Sequence, residues 1–72
     1  MSLGLPGEVI RISGATAVID CWGTTRDVRL DPFAEVRVGD VEIEHEGAIV
    51  RRIPPEDVDD TVALYEMILA EA

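Results

Sequence analysis

The stretch Val41-Glu42-Ile43-Glu44-His45-Glu46-Gly47-Ala48-Ile49-Val50-Arg51-Arg52-Ile53, stopped by Pro54-Pro55, decides how the rest of the chain is read. Successive side chains on a strand point to opposite faces, so the strict alternation over 41–45 predicts a strand with Val41, Ile43 and His45 on one side. That side is expected to face the core, with His45 near the strand's end. Glu46-Gly47 breaks the run, and Ala48 to Ile53 is a second β-rich segment. Two prolines close it, because proline pins φ, lacks a donor and restricts the residue before it.

The same reading extends toward the N-terminus. Glu8 to Ile12 alternates, Ser13-Gly14 supplies a turn, and Thr16 to Trp22 is β-rich, which together predict an antiparallel hairpin. Thr24 to Leu30 alternates again and puts Val28 and Leu30 on one face before Asp31-Pro32 ends it. Phe33 to Val38 follows, then Gly39-Asp40 as a turn. On the C-terminal side, Pro55 suits the first turn of a helix, and Glu56, Asp57, Asp59 and Asp60 suit the positive end of its dipole. Val58, Thr61, Val62, Tyr65, Ile68, Leu69 and Ala72 recur at three and four, making an apolar stripe beside an acidic face with Glu66 and Glu71. That stripe must pack on its own barrel or on a partner. The expected fold is mainly β, a small five-stranded OB-like β-barrel over about residues 7–53 with a C-terminal α-helix over about 55–71. The whole, 1–72, reads as a single domain. An SH3-like five-stranded barrel fits the same pattern.

Composition narrows the function. A chain of 72 residues buries only about 60% of its unfolded surface. With one Phe, one Trp and one Tyr, the core must come from Val, Ile, Leu and Ala, which argues against a deep enzyme pocket. Fifteen acidic against six basic residues give a net charge of −9, which repels phosphate backbones and anionic lipid. Nucleic acid and membrane are therefore not expected partners. A generic OB-type domain for single-stranded nucleic acid would need a basic groove with stacking rings. Cys21, the single cysteine, permits no internal disulfide, and no apolar run approaches a bilayer span, so a reducing cytoplasm is the expected home. The opening heptapeptide lacks the features of a secretory signal and is read as part of the mature fold. No Ser-His-Asp order, phosphate loop or metal-site spacing is visible, and a non-enzymatic role is expected.

Three segments carry a resemblance. Met1-Ser2-Leu3-Gly4-Leu5-Pro6-Gly7 is similar to an opening Met-Cys-Leu-Gly-Ile-Pro-Gly. Val18-Ile19-Asp20-Cys21-Trp22-Gly23, followed by Arg26-Asp27-Val28, is similar to a Val-Asp-aromatic-Gly stretch and its following strand. Val38-Gly39-Asp40-Val41-Glu42-Ile43-Glu44-His45-Glu46-Gly47 is similar to Val-Gly-Asp-Tyr-Val-Leu-Val-His-x-Gly. Together, in this order and spacing, they resemble the HypC/HupF/HybG family of [NiFe] hydrogenase assembly chaperones over essentially the whole chain.

The resemblance implies an accessory chaperone that binds a HypD-like iron scaffold and the hydrogenase large-subunit precursor and helps deliver an Fe(CN)2CO unit. It implies no tightly bound cofactor, only that unit in transit. It assigns partner binding to Ser2, Leu3, Gly4, Leu5, Pro6, Gly7 and His45. Position 2, exposed once Met1 is removed, and His45 are the residues it associates with iron. Two positions depart from the pattern: Ser2 replaces the family's cysteine, and Ala48 stands where an aromatic follows His-x-Gly. A hydroxyl does not offer the soft anionic sulfur that low-valent iron prefers. The alternative is therefore a cysteine-less paralogue or variant that binds proteins without carrying iron.

Each of these residues also has a plainer role. A histidine at a strand end is commonly hydrogen-bonded or half-exposed. Leu3 to Gly7 would serve as a strand lead-in, although exposed Leu3 and Leu5 at a terminus fit a docking element better. Cys21, inside a β-rich run, reads as a small buried apolar group. The acidic helix face reads as solvated surface.

Overall fold

The computed structural model describes residues 4–71. Its strands are β1 (Leu5–Ser13), β2 (Thr16–Cys21), β3 (Thr24–Arg29), β4 (Val41–His45) and β5 (Ala48–Ile53). A single 3₁₀ turn, Pro55–Asp57, leads into helix α1 (Val58–Glu71). The strands close a barrel in the order β1-β2-β3-β5-β4. Every pairing is antiparallel except β3 with β5, joined at Arg29 and Ala48. This is the OB-like barrel with a C-terminal helix expected from the sequence.

Turn chemistry sets the hairpins. Trp22-Gly23 joins β2 to β3 and Glu46-Gly47 joins β4 to β5, with all four residues at positive φ. Paired positive φ values match the right-handed twist of the flanking strands. Residues 31–40 form a loop without a strand, held by Asp31, whose Oδ1 accepts from the Phe33 N–H at 2.8 Å. The loop is tied back to β1 where the Val9 N–H donates to the Asp40 carbonyl, 2.8 Å.

Val9, Ala17, Ile19, Cys21 and Val28 form the core, with Leu30, Val36 and Ile49 against it. Cys21 is thus the buried apolar group that its setting predicts. Fully burying a Val or Ile contributes about 1.5–3 kcal/mol. On β1 the simple alternation fails after Val9. The register with β2 shifts between Val9 and Arg11, so Ile10 is an extra, bulged residue, and Ile10 and Ile12 are left exposed.

The facing expected for β4 is reversed. Glu42 and Glu44 are the buried residues, while Val41, Ile43 and His45 are half-buried. Gly7 pairs with Glu42 and faces Cys21 and Ile19, so the glutamates lie on the barrel's inner side. The physical reason is that α1 covers the outer side. Val41 borders a cleft with Val58 and Val62, and Ile43 and Ile53 line a groove with Thr61, Leu64 and Tyr65. Both faces of β4 are covered, and the apolar one faces the helix.

Helix α1 is only partly used in this way. Val58, Thr61, Val62 and Tyr65 are half-buried, whereas Leu64, Met67, Ile68 and Leu69 are exposed. The first turns of the stripe pack on the barrel, and the apolar side chains of the later turns are exposed.

Gly7 is held to glycine by contact: a Cβ there would lie 2.8 Å from Cys21 Sγ and 3.1 Å from Ile19 Cδ1. Gly7→Ala is expected to destabilise the fold by about 1–3 kcal/mol in urea unfolding. Most of that loss should disappear when Cys21→Ala is added, and a strictly additive double mutant would refute the contact.

Candidate functional site

The N-terminal segment does not stand clear of the barrel. Leu5, Pro6 and Gly7 belong to β1 and pair with Glu44, Ile43 and Glu42 of β4. Pro6 and Gly7 are buried and Leu5 is half-buried, so the expected exposure of Leu5 is corrected. Ladder hydrogen bonding to β4 draws the segment in. Ser2 and Leu3 lie outside the described residues.

At the end of that strand the chain meets His45. A Cβ on Gly4 would lie 3.7 Å from the His45 Cβ and 2.8 Å from Ile43 Cγ2, an approach that only glycine permits. Of the residues assigned by resemblance, the structure therefore brings Gly4 and His45 together, while Leu5 pairs with Glu44 and shares its face of the sheet. Pro6 and Gly7 run away from them along β1. His45 is the last residue of β4 and pairs with Ala48 across the Glu46-Gly47 turn.

A buried carboxylate anchors this turn. Glu44 Oε1 accepts from the Gly47 N–H at 2.9 Å, and Arg26 Nη1 lies 3.9 Å from Glu44 Oε2. The Gly47 carbonyl accepts from the Arg29 N–H at 2.9 Å, tying the turn to β3. His45 is thus held at a fixed height beside the entering chain.

Cys21 is no part of this site. Burial pushes its thiol above its ordinary pKa, Arg26 opposes that, and Glu44 and Asp20 add to it. A thiol so placed stays protonated and does not act as a thiolate ligand. Among the described residues, no group of three or more His, Cys, Asp or Glu side chains could hold a metal ion.

Sequence reasoning missed two features. One is the inward pair Glu42 and Glu44, hidden because β4 has two covered faces and alternation alone does not name the inner one. The other is the exposed side chain of Trp22 in the β2–β3 turn. The Trp22-Gly23 dipeptide between two β-rich runs is the signal that could have placed it there.

Comparison with known proteins places these features in context. The sequence model of the HupF/HypC family matches residues 1–65. The chain is also similar to a Helicobacter hepaticus protein named Hydrogenase maturation factor HypC, at 35% identity over 71 residues, covering 96% of this chain and 83% of that protein.

Glu42 offers a test of the inner face. It is 1% exposed, and its Oε2 has no hydrogen-bond partner. Burial and Asp40 raise its carboxyl to about pH 7 against the opposing effect of Arg52. The neutral acid is the form that the fold accepts. Stability should fall as pH rises from the unfolded value of 4.5 to about 7 and then level off. Glu42→Gln is expected to stabilise the protein by about 2–3 kcal/mol at pH 8. Near pH 4.5 it should change little. Urea unfolding at both pH values checks this, and equal effects would contradict it.

Proposed function

The chain belongs to the HupF/HypC family of hydrogenase maturation factors, and on that footing we propose that it is a docking chaperone. It binds a HypD-like iron scaffold and the [NiFe] hydrogenase large-subunit precursor and helps deliver the Fe(CN)2CO unit, with no cofactor of its own. The observation that carries this reading is the family match together with the close approach of Gly4 to His45. Gly4 lies against His45, so partner contacts at these two positions would fall on one surface. The exposed end of α1, with Leu64, Met67 and Ile68, adds apolar surface suited to a protein partner. A non-enzymatic role in the cytoplasm belongs to the same proposal.

A second reading, protein binding without iron carriage, is favoured by Ser2. The hydroxyl keeps its proton at neutral pH, and Cys21, the one thiol, is buried in the core. In this reading the iron unit stays on the partner's ligands while the chaperone positions the two proteins.

Calorimetric titration separates these readings from failure. Wild type is expected to bind the scaffold or the precursor with a Kd in the micromolar range, and His45→Ala should weaken binding by about tenfold, 1.4 kcal/mol. Absence of binding to both partners would sink the chaperone proposal. Infrared spectra of anaerobically purified protein should lack CN and CO bands, and Ser2→Cys should bring them back if position 2 is the iron ligand.

A further inference from the structure

Between the outer face of the barrel and the first turns of α1 lies a cleft of about 190 Å³, lined by Pro6, Trp22, Val41, Val58 and Val62 with Glu8 and Asp20. Its walls are largely apolar, and the charged side chains that line it, Glu8 and Asp20, are both carboxylates. Glu8 and Asp20 are direct cross-strand partners, an arrangement in which like charges repel. The two ion pairs among the described residues use Arg26 with Glu44 and Arg52 with Asp40, so neither cleft carboxylate has a cation. The Asp20 Oδ1 accepts from the Gly23 N–H at 2.9 Å, a neutral donor. Helix α1 brings Asp59, Asp60, Glu66 and Glu71 and no basic residue.

Trp22 completes the cleft. It is 45% exposed, and it sits at φ 50, where a bulky side chain is disfavoured. An open indole face, two aliphatic walls and an uncompensated pair of carboxylates form a receptor for a cation on an alkyl stem. The ring attracts the charge, the valines take the stem, and the carboxylates accept its hydrogen bonds. A guanidinium fits better than an ammonium because it stacks flat on the ring while donating sideways in two directions. A second copy of this chain is a poor occupant, since each copy carries a charge of −9.

We propose that this cleft receives an arginine side chain from a protein partner, stacked on Trp22 between Val58 and Val62 and paired with Glu8 and Asp20. The inference rests on the docking reading and names the chemistry of the partner's contact.

Trp22 is the only tryptophan, so its emission reports on the cleft directly. The probe is N-acetyl-Leu-Arg-Leu-amide, with the citrulline peptide as its uncharged isostere. A saturable emission change with the arginine peptide is expected, about fivefold or more weaker with citrulline and in Glu8→Gln. Equal response to the two peptides, or no saturation up to about 10 mM, overturns the proposal. Trp22→Asn, which suits a turn at positive φ and so keeps the fold, should lose the arginine preference in calorimetry.

A second arm titrates the scaffold and the precursor against wild type, Glu8→Gln and Trp22→Asn. Weakening of about fivefold or more for at least one partner supports the cleft, and unchanged affinities overturn it while leaving the docking reading intact. No binding of wild type overturns the docking reading, and the peptide arm then decides the cleft alone. Sedimentation showing a dimer that Trp22→Asn dissociates would assign the cleft to a second copy and overturn the proposal.

Discussion

Strand β4 is covered on both faces, by the barrel interior on one side and by helix α1 on the other, and the rest of the molecule is arranged around that constraint. Its aliphatic residues Val41 and Ile43 seat the helix, while Glu42 and Glu44 take the inner face. A carboxylate is tolerated inside only with local compensation. Glu44 has it, through the Gly47 N–H and the nearby Arg26. Glu42 lacks it at one oxygen and shifts toward its neutral form instead. Gly7, opposite Glu42 on β1, leaves the space that Cys21 and Ile19 fill.

This arrangement shapes the functional surface. The β4–β1 ladder draws Leu5, Pro6 and Gly7 into the wall of the barrel, and Gly4 is brought against His45. Cys21 is committed to the core. The helix, anchored by its first turns, leaves the apolar side chains of its later turns uncovered. The barrel interior is filled by small aliphatic side chains, Cys21 and the two glutamates.

The legible parts of the fold were those with local causes. The five strands and the helix follow from alternation, three-and-four spacing and the Gly- and Pro-containing breaks, and all lie within a few residues of the expected bounds. Burial of Cys21 followed from its place in a β-rich run. The errors share one cause, because each depended on a partner element distant in sequence. Leu5 was read as exposed because its pairing with Glu44, far along the chain, leaves no local trace. Val41, Ile43 and His45 were read as core-facing because the helix that covers their side of β4 lies beyond the strand in sequence.

By itself, the sequence determined the element order, the turns, the acidic character and the family motifs, since propensity, backbone chemistry and charge are properties of the chain alone. Only the tertiary structure decided which face of β4 is inside, that Gly4 lies against His45, and that Trp22 overlooks a cleft closed by a helix more than thirty residues away. A period of two says that two faces differ, but not which of them another element will cover. That is settled by how β1, β4 and α1 divide a limited apolar surface among themselves.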